Sequence, residues 1–230
     1  MDKTASQKPL VWLLLLLSMT TGLVDAASVL GLGKVFTANM TGNVVFLGFA
    51  VAGTPGFHIA PHVVALLAFL LGALIAGQTG KWGAGRSMRR WLVTVAVMEA
   101  MLLWISAALA TGFDVAAQAP SHSLYGIIAL TGTAMGLRNG TIRQLKVPDL
   151  TTTVLTLTLT GLAADSGLAG GASPNWGRRI GSVAAIFAGA VIGALLVMHG
   201  GLVAPLVLAG VLVLGGTIAC STYDQAQAST

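Results

Sequence analysis

Eight apolar segments alternate with short polar connections along this chain of 230 residues. They cover Leu10–Leu32, Val35–Gly53, His62–Thr79, Trp91–Thr111, His122–Leu137, Val147–Asp165, Ile180–Met198 and Leu202–Cys220. Most approach the ~20 residues that an α-helix needs to cross a bilayer. Two segments, Val35–Gly53 and Val147–Asp165, differ because polar residues crowd their front halves and an apolar tail follows. The pattern predicts an all-α integral membrane protein with two unusual segments.

The composition supports this class. Charged residues make up 8% of the chain and hydrophobic residues 55%, whereas soluble domains carry about 25% charged residues. The pI near 9.9 reflects basic residues at helix ends rather than nucleic-acid binding, since no basic face is interleaved with aromatic residues. The lone Cys220 forms no intramolecular disulfide and has no metal-ligand spacing. Motifs of the common hydrolases and nucleotide-binding enzymes are missing, and we expect no enzymatic activity.

The sequence indicates an internal repeat: two similar halves within a single transmembrane domain, 1–230. GLVDAAS, which starts at Gly22, aligns with GLRNGTI, which starts at Gly136, and Asp25 falls opposite Asn139. Downstream, small residues four apart occupy matching places: Gly72 with Ala76, and Gly189 with Gly193. Such spacing favours close contact between membrane helices. We assign residues 10–112 to the first repeat and 121–221 to the second.

The positions of Lys and Arg indicate how many segments cross the membrane. If the two polar-headed segments do not cross and the N-terminus is cytoplasmic, eleven basic residues lie inside and only Lys34 lies outside. If all eight segments cross, the best orientation leaves eight basic residues inside and four outside. The positive-inside rule therefore favours six crossings with both termini cytoplasmic, two re-entrant segments and an inverted 3+3 repeat. The alternative is eight crossings arranged as a parallel 4+4 repeat.

Each polar-headed segment is predicted to enter the membrane extended and to turn back as a helix. Their helix N-termini would meet near the midplane, where unpaired N–H groups favour a negative group on a solute. The predicted solute-binding residues are polar positions of the two segments and of the repeated motif: Asp25, Thr37, Asn39, Thr41, Asn43, Asn139, Asp149, Thr151, Thr152 and Thr153. Alternatively, these side chains only hydrogen-bond within and between helices.

Two acidic residues lie inside predicted spans, where a charge is costly. Asp25 and Glu99 are therefore the candidates for proton coupling, although Glu99 is equally consistent with a structural partner. His58 and His62 are interpreted as interfacial residues at the outer end rather than as metal ligands, because no further ligands accompany them.

The stretches GLVDAAS, VFTANMTGNVVFLG and GLRNGTIRQLKVPDLTTTVLT resemble the YoaK-type bacterial membrane proteins. The resemblance covers nearly the whole chain and implies a bacterial inner-membrane location. It implies no activity, because that family is functionally uncharacterised, and no binding residue is transferred from it.

The residues themselves favour a secondary transporter for a small anionic solute, coupled to protons through Asp25 or Glu99. A passive anion channel and a membrane scaffold without transport are the alternatives. The expected partners are the solute and the lipid bilayer, with no cofactor, metal or nucleic acid. Homo-oligomer formation is left open.

Overall fold

A computed structural model describes residues 8–83, 87–145, 155–173 and 175–228, and within these ranges the chain forms eight α-helices and no β-strand. The helices are α1 (Lys8–Gly31), α2 (Met40–Val51), α3 (Ile59–Gly83), α4 (Met88–Ala110), α5 (Ser121–Leu145), α6 (Leu155–Ala164), α7 (Trp176–Gly200) and α8 (Val203–Ala228). Large apolar side chains cover much of the outer surface, for example Leu67, Leu74 and Phe187. The predicted all-helical membrane class agrees with this architecture.

Six helices are long, with 23 to 26 residues each. At 1.5 Å per residue they measure roughly 35–39 Å, which exceeds the ~30 Å hydrocarbon core. Within the described ranges, five of them, α1, α3, α4, α7 and α8, are also apolar enough to cross a membrane. The sixth, α5, is as long but more polar, and it packs between α3 and α4 with most of its side chains buried.

The helices of the two polar-headed segments are short. α2 has 12 residues and α6 has 10, so they measure about 18 and 15 Å. α2 does not reach across a hydrocarbon core of about 30 Å, so it is the short helix that the polar front half of Val35–Gly53 predicted. The polar front half of the second segment lies outside the described residues.

Close packing of α1 against α7 depends on glycine. Gly22 of α1 lies against the carbonyl of Ile186, and Gly189 of α7 lies against the carbonyl of Met19. Gly193 meets α1 one turn further along. The two helices run parallel, since Ser18 contacts Ser182 near their starts.

The same arrangement occurs between α3 and α5. Gly72 lies against the carbonyl of Thr133, and Gly136 lies against the carbonyl of Phe69. Ala76 is fully buried beside them. The predicted contact faces at the small-residue pairs are confirmed, and the first glycine of each GLVDAAS-like motif packs onto a helix of the other half of the chain.

Several connections gather at one end of the molecule, the end where α1 finishes. Gln118, between α4 and α5, donates from Nε2 to the carbonyl of Gly31 at 3.0 Å. Lys34 Nζ lies 4.7 Å from the ring centroid of Phe57, in the turn after α2. The chain therefore returns after α2 to the end at which it left α1, and we call this the Lys34 end.

The glycine contacts predict a selective loss of stability. Gly189→Leu forces a side chain into the backbone of α1 and is expected to cost at least ~2 kcal/mol. For a chain of this size that corresponds to a fall in Tm of roughly 5 °C, measured by thermal unfolding in detergent. Gly177→Leu is the matched control in the same helix, because a Cβ added at Gly177 would meet nothing within 4 Å. Equal Tm values for the two variants would contradict the contact.

Candidate functional site

The chain that follows α1 turns back along α1 until it reaches Asp25. The backbone N–H groups of Thr37 and Ala38 donate to Asp25 Oδ1 at 3.1 and 2.8 Å. Asp25 lies six residues before the end of α1, so the chain descends about 9 Å beside the helix. We call Val35–Asn39 the descending segment. Asp25 thus satisfies backbone donors that would otherwise be unpaired at membrane depth.

Asn43, one turn into α2, fixes the descending segment from the other side. Its Oδ1 accepts from the N–H of Phe36 at 2.9 Å, and its Nδ2 donates to the carbonyl of Phe36 at 2.6 Å. The ring of His62 also lies at this amide, with Nδ1 3.4 Å from Asn43 Oδ1. Asn43 is fully buried, so its amide is committed to the backbone.

The burial of His62 adds to the sequence interpretation, which placed the residue at the outer end of its span. The residue lies one turn from the start of α3 and is only 1% exposed. It packs beneath Asn43 and edge-on to Phe46, at 5.8 Å between ring centroids. His62 lies four residues after His58, and this spacing indicated that the two share a helix face. It could not indicate that α2 packs its residues against His62.

A cavity of about 940 Å³ opens between α1, the descending segment, α2, α6 and α7. Asp25, Asn39 and Thr41 line it from the first polar-headed segment and its motif. Leu155 and Thr156, the first residues of α6, line it from the second. The two short helices therefore contribute to one cavity. Asn39 stands at the N-cap position of α2, yet its side chain makes no capping hydrogen bond.

The other predicted site residues lie elsewhere. Thr37 is buried in the wall, and its Oγ1 has no hydrogen-bond partner among the described residues. Asn139 lies on α5, away from this cavity, and donates from Nδ2 to the carbonyl of Met135 at 2.8 Å. Four predicted positions of the second segment lie outside the described residues: Asp149, Thr151, Thr152 and Thr153.

Glu99 has the structural partner that the sequence left open. Arg138 Nε donates to Glu99 Oε1 at 2.6 Å, and Arg138 Nη2 also contacts this oxygen. Arg138 Nη1 donates to the carbonyl of Leu17 and to Thr21 Oγ1, at 3.1 and 3.0 Å. The ion pair thus joins α4, α5 and α1, and both of its members are buried.

The burial of Arg138 also changes the number of basic residues that count toward the positive-inside rule. The sequence interpretation placed it beyond a helix ending at Leu137, among the residues facing the cytoplasm, but α5 continues to Leu145 and Arg138 is 1% exposed. A buried, paired arginine carries no topological information. The same holds for Arg179, which is 8% exposed and pairs with Asp165, so six crossings leave nine basic residues inside and one outside. The signal for the Arg138 pair was available in Glu99, because an acid at bilayer depth requires a partner.

Comparison with known proteins gives a family but no activity. The family model described as "Protein of unknown function (DUF1275)" matches residues 13–219. A relative in Bacillus subtilis (strain 168), the "UPF0700 transmembrane protein YoaK", is 37% identical over 155 residues. The match covers 66% of this chain and 65% of that protein, so the chain spans a little under two thirds of its relative. No solved structure matches.

The buried ion pair predicts non-additive effects of mutation. Glu99→Leu leaves the Arg138 guanidinium uncompensated and is expected to cost about 3–5 kcal/mol. Glu99→Leu combined with Arg138→Leu removes both charges and is expected to restore most of that loss. Thermal unfolding of the two single variants and the double variant in detergent tests the coupling. Strictly additive losses would show that the two side chains do not depend on each other.

Proposed function

The chain belongs to the DUF1275 family, whose function is unknown, and we propose that it is a secondary transporter for a small solute. The observation that carries the proposal is the cavity of about 940 Å³ shared by the two short helices. Discontinuous helices that meet at a common site are the arrangement by which many secondary transporters bind their substrates. The volume falls within the range of small-molecule sites. Transport requires no catalytic residue, and we assign no enzymatic activity.

The proposal includes six crossings and an inverted repeat. The parallel pairs α1 with α7 and α3 with α5 exchange when the first half is mapped onto the second, as a pseudo-two-fold axis requires. α2 begins beside Asp25 and returns to the Lys34 end. α6 begins at the cavity, and Asp165 just after it pairs with Arg179 near the start of α7, at 2.7 Å. The short helices therefore approach the cavity from opposite ends.

The membrane setting follows from the same features. We place the chain in the bacterial plasma membrane, the inner membrane where there are two, with both termini in the cytoplasm and the Lys34 end outside. The remaining basic residues, nine inside and one outside, support this orientation. The relative named as a transmembrane protein in Bacillus subtilis supports the location.

Asp25 is the better candidate for proton coupling. It lines the cavity, whereas Glu99 is held behind the wall by Arg138. Among the described residues, Arg138 of this ion pair acts electrostatically on Asp25 and contacts the cavity lining at Thr21. A proton on Asp25 would change the charge of the cavity directly, and a proton on Glu99 would break the ion pair.

Cysteine labelling tests the topology. In a Cys220→Ala background, Ala117→Cys and Ala172→Cys are both exposed, and they lie before α5 and before α7. Six crossings put the two positions on opposite sides of the membrane, so an impermeant thiol reagent should label Ala117→Cys from outside and Ala172→Cys only in inverted vesicles. Eight crossings put both positions on the same side, and labelling of both from one side would overturn the six-crossing arrangement.

Block of the cavity tests the function. Untargeted mass spectrometry of solutes taken up by vesicles with and without the protein identifies what is transported. In the Cys220→Ala background, a thiol reagent should then abolish uptake by Thr41→Cys, which lines the cavity. Val44→Cys is the matched control on α2, because it is 58% exposed and does not line the cavity.

The outcomes separate the alternatives. Equal loss of uptake in both cysteine variants would place the path elsewhere. Uptake that is blocked at Thr41→Cys but is indifferent to an imposed pH gradient indicates a passive channel. A complete absence of differences between the two kinds of vesicle would leave the scaffold alternative and contradict transport.

A further inference from the structure

Asp25 is the one ionisable side chain among the described residues that line the cavity. The remaining polar groups of the described lining are neutral hydroxyls and amides, which include Asn39, Thr41 and Thr156. Lys, Arg and His are absent from this part of the lining. A bound anion would therefore meet a carboxylate without a compensating cation on the described wall.

The backbone N–H groups that lead into α2 are already paired with Asp25. The N–H groups of Thr37 and Ala38 donate to Asp25 Oδ1, and the N–H of Asn39 also faces this carboxyl group. The positive end of a helix is equivalent to roughly +0.5 charge, against −1 for an ionised carboxylate. The head of α2 and Asp25 together thus remain negative, by about half a charge.

Arg138 does not reverse this sign. Arg138 does not line the cavity, and its Nη1 donates at 3.0 Å to Oγ1 of Thr21, which does. Its charge is balanced on the far side by Glu99. Arg138 therefore offsets the charge of Asp25 only in part, and Asp25 is the charged group on the described lining.

Two aromatic rings complete the described wall. Phe36 and Phe46 both line the cavity, and their ring centroids are 5.9 Å apart in a stacked arrangement. Aromatic rings next to a carboxylate suit an organic ammonium ion, which combines charge with apolar groups. We propose that the solute is a small organic ammonium ion that Asp25 binds. This inference rests on the proposed transport function and replaces the anion that a helix N-terminus without a neighbouring carboxylate would favour.

Binding of simple ammonium probes tests the charge of the solute. Methylammonium, tetramethylammonium and 1,4-diaminobutane, as chlorides, are titrated against the full-length protein in detergent while Tm is followed. Sodium acetate and sodium phosphate are the anionic comparison. We expect the ammonium probes to raise Tm and Asp25→Asn to weaken their apparent affinity at least ~10-fold. Asparagine keeps an Oδ1 that accepts from the same backbone N–H groups, so the fold is expected to survive.

Two further variants make the test specific. Asp165→Asn removes a carboxylate that pairs with Arg179 outside the cavity, and it should leave ammonium binding unchanged. Asn39→Lys adds a positive charge to the lining without altering the hydrogen bonds of Asp25, and it should abolish ammonium binding even if Asp25→Asn fails to fold.

The possible results differ for the two proposals. Stabilisation by acetate or phosphate that becomes stronger in Asp25→Asn would overturn the ammonium assignment and leave transport intact. No response to any ammonium probe, while vesicles still accumulate some other solute, would overturn it as well. Absence of both binding and uptake would contradict the proposed function itself.

Discussion

The site depends on the hydrogen bonds that Asp25 accepts from the backbone of the descending segment. An extended backbone at membrane depth exposes N–H groups that lipid cannot satisfy, each at a cost of several kcal/mol. Asp25 accepts from two of these groups, and Asn43 satisfies both polar groups of Phe36. Because these bonds are made, α2 can begin inside the protein rather than at its surface. The cavity exists because α2 begins there.

The buried ion pair of Glu99 and Arg138 has a different role. Glu99 and Arg138 neutralise each other where three helices meet, and their remaining hydrogen bonds end on α1 at Leu17 and Thr21. A buried pair of this kind adds little net stability but penalises any packing that separates its members. It therefore fixes the register of α5 against α4 and α1. Asp25, one helical turn from Thr21, is the acidic side chain among the described residues that line the cavity.

Periodic and compositional signals were enough to predict the membrane class, the short helix α2 and the glycine contacts. Gly72 and Gly189 revealed their packing role because small residues four apart have few other uses in lipid. The sequence could not reveal which polar residues face the cavity and which are consumed by the fold. Asn39 and Asn43 are four residues apart in similar surroundings, yet only Asn39 lines the cavity. That difference depends on where the descending segment lies, which is a tertiary feature.

The repeated motif explains why one short sequence is required twice. In GLVDAAS, Gly22 lets α1 approach α7, and Asp25, one turn later on the same helix, receives the descending segment. In GLRNGTI, Gly136 performs the same packing against α3, but the acid is replaced by Asn139. The two copies thus keep a common geometry while only one retains a charge in that position.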